Sequence, residues 1–173
     1  RWDNEWAGSG TEQWDAPPTL PAGDTAFERL ANGYTVMMTL NGIPLIYYGD
    51  EIGLAGAGDP DNRRMMEFDN TKYTSGQKLL LAHVQKLTKL RKAHPALSRG
   101  ARTTLSVTDD TFVYEKVDAT ADDQIIVVLN RSDTMQDVMG VPDGQYTDLL
   151  TDTPVTGGTI SVPPRSSMLL APQ

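Results

Sequence analysis

The stretch that decides the fold is Gly42-Ile-Pro-Leu-Ile-Tyr-Tyr-Gly-Asp-Glu-Ile-Gly53. Its run from Ile43 to Tyr48 is apolar at successive positions instead of alternating with polar residues. A strand with that pattern suits burial on both faces, as in a parallel sheet covered by helices. Pro44 falls near the strand start, where a missing N–H is tolerated. Asn41-Gly42 marks the turn before it, and Gly42 can take the positive φ of a helix C-cap. Helix, short turn and doubly buried strand make an α/β unit.

Working outward, Asp24–Leu40 reads as a helix. Phe27, Leu30, Ala31, Tyr34, Met37 and Met38 fall on one face at helical spacing. Asp24 suits its N-cap, and Glu28 puts a carboxylate in the first turn, where the dipole favours it. Ser75–His94 reads as a second helix, with Leu80, Val84, Leu87 and Leu90 on its stripe and Pro95 closing it. Between the strand and this helix runs a long loop, Gly49–Tyr73. Residues 1–23 read as a loop carrying Trp2, Trp6 and Trp14. One parallel strand cannot satisfy its own backbone groups. Its partners must come from elsewhere, either the rest of a larger fold or another copy of the chain.

Beyond Pro95 the texture turns to short β-type runs: 102–107, 111–117, 124–130, 135–139, 146–150, 158–162 and 166–170. Asp109-Asp110 and Pro142-Asp143-Gly144 are turn signals. Such regular spacing predicts an antiparallel β-sandwich. In Thr111–Val117, Phe112 and Tyr114 share one face and Val113 and Val117 the other, so the core face is left open. The boundary falls near 97–101.

Composition narrows the function classes. The 173 residues hold 23 acidic against 15 basic side chains, net −8, which opposes sequence-independent nucleic-acid binding. With no cysteine there is no disulfide, thiolate nucleophile or cysteine zinc site. No apolar run approaches the ~20 residues of a membrane span. No signal peptide is visible, and the first residue is Arg1; a processed or truncated chain is expected. A secreted or periplasmic setting is favoured over the cytoplasm, although the lack of cysteine suits all three.

The run from Gly42 to Gly53, followed by Gly58-Asp-Pro-Asp-Asn-Arg-Arg64, resembles the end of the catalytic barrel of the α-amylase family of glycoside hydrolases. Lys89-Leu-Arg-Lys-Ala-His-Pro-Ala-Leu97 is similar to that family's last barrel helix. Phe112-Val-Tyr-Glu115, Val127-Val-Leu-Asn-Arg131 and Val162-Pro-Pro-Arg-Ser-Ser-Met-Leu-Leu170 are similar to its C-terminal β-sandwich. The resemblance implies an α/β barrel fragment, two helices and the eighth strand of a (β/α)8 barrel in residues 1–98. An all-β antiparallel sandwich would follow in 99–173. It implies a parent that is a retaining glycoside hydrolase acting on α-glucans or related oligosaccharides. Such enzymes need two carboxylates about 5–5.5 Å apart. In the family these lie on earlier strands, so no catalytic residue is expected here and the chain is expected to be inactive alone. A transglycosylase of the same family and a non-catalytic carbohydrate-binding or structural module are the alternatives. The second would need exposed aromatics in 101–173, a region without Trp.

By the same resemblance, Asp59 and Arg63 are the substrate-binding residues. A carboxylate accepts from sugar hydroxyls and a guanidinium donates in a fixed fork. The plain alternative is a local salt bridge that pins the loop, and both can hold together. Asp50 and Glu51 are adjacent and point apart in extended chain, so they read as loop structure. Tyr47, Tyr48 and the three Trp could stack on sugar rings; core packing is the default for the two Tyr, and loop anchoring the plain alternative for the Trp. No cofactor is expected in this chain. Calcium is possible in the full enzyme, with Asp15, Asp59, Asp61 and Asp69 as oxygen donors. His83 and His94 read as structural. The expected partners are an α-linked oligosaccharide or polysaccharide, and the missing N-terminal part of the barrel or a second copy of the chain; no nucleic acid and no membrane.

Overall fold

The computed structural model describes residues 17–173. The readings placed on Trp2, Trp6, Trp14 and Asp15 lie outside them. Helix α1 spans Thr25–Thr39, α2 spans Ser75–Ala93 and the short α3 spans Pro95–Arg99. Six strands follow: β1 (Ala101–Val107), β2 (Thr111–Asp118), β3 (Asp123–Asn130), β4 (Gln136–Asp148), β5 (Thr153–Val162) and β6 (Ser166–Pro172). No described helix is long and apolar enough to cross a membrane.

The helix stripes fold as their spacing requires. Phe27, Ala31, Tyr34 and Met38 of α1 pack with Leu80, Val84 and Leu87 of α2. Thr74 opens α2 with a capping box: its hydroxyl accepts from the Gln77 N–H, and the Gln77 side chain accepts from the Thr74 N–H. Asp24 does not cap α1 with its side chain. It accepts instead from the Ser75 hydroxyl at 2.6 Å, tying the two helix starts together. Glu28 pairs with Arg165 beyond β5 at 2.6 Å. Gly42 has φ 118°, but the C-cap of α1 is Leu40, two residues earlier.

The β-region is one antiparallel sheet of order β1-β2-β3-β6-β4-β5, not two separate sheets. β6 pairs with both β3 and β4, and so joins what a sandwich would keep apart. The sheet curls. Val113 of β2 and Val138 of β4 share one core although three strands apart in order. A Cβ at Gly140 of β4 would lie 2.6 Å from the Ser106 Cβ of β1, so glycine is required at that crossing. The runs at 135–139 and 146–150 fall mostly in a single β4 with two register shifts, and Leu149 and Leu150 turn away after it. Pro142-Asp143-Gly144 sits in that irregular stretch and makes no hairpin turn.

Both faces of β2 and β3 are covered. Tyr114, Ile125, Val127 and Leu129 face the helices, while Val113, Ile126 and Val128 face the inside of the curled sheet. This settles why neither face of β2 stands out as the core side in the sequence. One apolar cluster therefore runs from α1 and α2 onto the sheet.

The Ile43–Tyr47 segment is neither helix nor strand and has no ladder partner among the described residues. Ile43 is 98% and Leu45 87% exposed, the reverse of the burial their pattern suits. None of the six strands that follow pairs with it.

Candidate functional site

The candidate loop starts where the Ile43–Tyr47 segment ends. Gly49 has φ 91° and Gly53 φ 57°, and between them Asp50–Ile52 make a single 3-10 turn. A Cβ at Gly49 would come within 2.8 Å of Leu54 Cδ2, so the turn needs glycine on space as well as on φ. Asp50 accepts from the Tyr47 N–H at 3.2 Å, and Glu51 from the Gly49 N–H at 2.8 Å. Each carboxylate serves its own turn, which is the loop role the sequence suggests. The Gln77 side chain donates to the Ile52 carbonyl at 3.1 Å and hangs this turn on α2.

Asp59 and Arg63 come together. Arg63 Nη2 lies 2.9 Å from Asp59 Oδ1, with side chains 65% and 63% exposed. The salt bridge foreseen as the plain alternative is thus present. The peptide bond between Asp59 and Pro60 is cis, and Asp61–Arg63 form a further 3-10 turn.

A second pair holds this turn in place. Arg64 binds Asp61 with two parallel bonds, Nε to Oδ1 at 2.7 Å and Nη2 to Oδ2 at 2.6 Å. Asp61 also accepts from the Ala57 N–H at 2.8 Å, and Arg64 Nη1 donates to the Pro18 carbonyl at 2.8 Å. The Arg64 guanidinium holds the Asp61 carboxyl below the usual Asp value of 3.8. Such fork-to-fork pairing is geometrically specific. The sequence reading singles out Arg63 and passes over Arg64. The i, i+3 spacing from Asp61 is the one signal that could have found it.

Tyr47 and Tyr48 are half-exposed neighbours, not core residues. Their ring centroids lie 4.6 Å apart at 42°. Tyr48 donates to the Arg64 carbonyl at 3.2 Å. Its pKa is raised by desolvation and by the Tyr47 hydroxyl, against a downward pull from Arg63. The exposed ion pair, its locking pair and two aromatic rings therefore lie on one surface.

Among the described residues no three His, Cys, Asp or Glu side chains group to hold a metal. Asp61 is engaged by Arg64, and Asp69 accepts from the Thr71 N–H and hydroxyl. The described donors do not fit a calcium site. His83 Nε2 lies 2.8 Å from Thr35 Oγ1, and His94 Nδ1 2.9 Å from Asp123 Oδ1. Both histidines link elements, as a structural role requires. An open groove of about 450 Å³ beside α2, lined by Thr71, Tyr73, Lys78 and Gln85, includes none of the candidate residues.

This arrangement can accept from and donate to hydroxyl groups, and it offers flat apolar faces beside them. No family model matches the chain. The chain is 38% identical over 120 residues, 66% of its length, to a cyclomaltodextrin glucanotransferase of Paenibacillus macerans. It is 35% identical over 122 residues, 69% of its length, to a cyclomaltodextrinase of Geobacillus thermopakistaniensis. Among solved structures, AmyP in complex with maltose superposes with a TM-score of 0.75 at 26% identity, over 88% of this chain. The chain belongs to the α-amylase family, and its sheet resembles the C-terminal domains of those amylases. It spans 16% and 20% of the two curated relatives and 36% of the solved chain.

Proposed function

We propose that the chain is the C-terminal portion of an α-amylase-type retaining glycoside hydrolase acting on α-glucans. In this reading residues 1–98 complete a (β/α)8 barrel, with Ile43–Tyr48 in its eighth strand, and residues 99–173 form the stabilising β-domain. The loops at the C-terminal ends of barrel strands build the active site, and Gly49–Tyr73 is such a loop. Asp59 and Arg63 bind a sugar unit there. The carboxylate accepts from ring hydroxyls, the guanidinium donates, and Asp61–Arg64 hold both at a fixed angle. The nucleophile and acid of a retaining mechanism belong to strands outside this chain, so it has no hydrolase activity by itself.

One observation carries this reading: the exposed Asp59–Arg63 pair sits on the loop that leaves an uncovered apolar segment. Support comes also from relatives named for cyclomaltodextrin chemistry and from a solved neighbour holding maltose. The two relatives are named as a transferase and a hydrolase, so transfer stands beside hydrolysis as the parent reaction. Water access and acceptor contacts outside this loop decide between them. The partner of the apolar segment is the rest of the barrel or, in its absence, a second copy.

The test is a starch-hydrolysis assay on the pure chain, run beside a maltose titration followed at the Arg63 side-chain N–H by NMR. No reducing sugar is expected. Maltose should shift the Arg63 signal in the native sequence and not in Asp59→Ala. Clear hydrolysis would overturn the reading, and so would a maltose response that survives loss of Asp59.

A further inference from the structure

The turn between α1 and the Ile43–Tyr47 segment is held by two cations, one from each side of the helix–sheet seam. Arg91 of α2 spreads its guanidinium over the end of α1. Nη1 donates to the carbonyls of Met38 at 2.7 Å, Leu40 at 2.9 Å and Leu97 at 2.8 Å. Nη2 donates to Gly42 at 2.6 Å. These carbonyls include the unsatisfied groups at the negative end of a helix, where a cation is favoured. Opposite it stands Lys116 of β2, only 1% exposed. Its ammonium donates to the Asn41 side-chain oxygen and to the Gly100 carbonyl, the latter at 2.6 Å.

None of these partners of Lys116 is a carboxylate. Burial, with Arg102 and Arg91 nearby, pushes its pKa down. An ammonium so placed is a costly way to fill space, and an apolar side chain of similar shape often stabilises more. What the cation gives that an apolar side chain does not is direction. It fixes Asn41, and Arg91 fixes Leu40 and Gly42 on either side. The next residue begins the Ile43–Tyr47 segment, which has no ladder to guide it among the described residues.

We propose that Arg91 and Lys116 are positioning residues that set the exit angle of the Ile43–Tyr47 segment, and through it the place of the Asp59–Arg63 loop. The sheet then acts on the loop directly, through Lys116, as well as stabilising the helices. The value of this for sugar binding rests on the reading of that loop given above; the coupling itself does not.

Amide hydrogen exchange on the full chain tests it, with Lys116→Met, Arg91→Gln and Asn41→Ala. Asn41 is exposed, so its truncation removes the acceptor without emptying the core. In each variant, exchange of the hydrogen-bonded amides across residues 47–54 should rise about tenfold, the equivalent of one lost hydrogen bond, while β3 amides stay unchanged. Lys116→Arg should restore much of the protection. A uniform rise across all elements, or no change in 47–54, would overturn the proposal. The maltose response of Arg63, measured on the same samples, should weaken several-fold wherever 47–54 loosens. If the native chain shows no maltose response, the sugar reading fails while the exchange result still decides the coupling.

Discussion

His83 of α2 lies 2.8 Å, through Nε2, from the hydroxyl of Thr35 on α1. Thr35 in turn lies 2.8 Å from the Ser167 hydroxyl of β6, so one imidazole closes a chain of polar contacts across both helices and the sheet. Burial pushes the His83 pKa below 6.5, and a bond to the Ala31 carbonyl offsets part of this. In the window between that lowered value and 6.5 the unfolded chain binds more protons than the folded one. Stability therefore rises with pH there and falls as pH drops below about 6.5, levelling once the folded-state pKa is passed. The urea midpoint should fall between about pH 7.5 and pH 5, and His83→Gln should flatten that slope. A slope unchanged in the variant would show that another group carries it.

The packing of Phe27 yields a second expectation. Its ring is fully buried, and a Cβ at Gly76 would lie 2.2 Å from Cδ2 and 2.7 Å from Cγ. Alanine normally gains about 1 kcal/mol over glycine inside a helix. Here the added methyl meets an aromatic ring that cannot move without opening the α1–α2 core. Gly76→Ala should destabilise by about 1–3 kcal/mol, the usual cost of overpacking. Chemical denaturation reads the sign directly, and a stabilised variant would mean that the ring has room to turn.

Asp59 and Arg63 should behave in the opposite way. Both side chains are about two-thirds exposed, and an ion pair so open to water contributes within about 1 kcal/mol to folding. Asp59→Asn and Arg63→Lys should leave the melting temperature almost unchanged. Loss of maltose response without loss of stability would separate a binding pair from a structural one. A large drop in melting temperature would assign the pair to the fold.

What the sequence makes legible follows from periodicity. The α1 stripe of Phe27, Ala31, Tyr34 and Met38 is apparent because a single face is buried, and a single face leaves a 3.6-residue rhythm. β3 hides its role for the opposite reason. Ile125 to Leu129 is apolar throughout because helices cover one face and the curled sheet the other. Pro142-Asp143-Gly144 carries the composition of a turn, yet the register shifts on either side of Val141 accommodate it within β4. The Asp59–Arg63 contact can be anticipated from local spacing. Lys116 to Asn41 spans 75 residues, and no local pattern reveals it.

The uncovered segment gives the last expectation. Ile43 and Leu45 are nearly fully exposed, and Met65 and Phe68 of the following loop are 91% and 84% exposed. Fully burying a Leu or Ile side chain contributes about 1.5–3 kcal/mol, and a backbone without a ladder presents unpaired groups to which another strand can bond. The isolated chain should therefore associate through this segment. Light scattering should give a mass above that of one chain at micromolar concentration, with a shift toward the monomer as the protein is diluted. Ile43→Thr with Leu45→Thr should lower the association sharply while leaving far-UV dichroism unchanged, because neither side chain contributes to the described core. A chain that stays monomeric at every concentration would overturn this expectation.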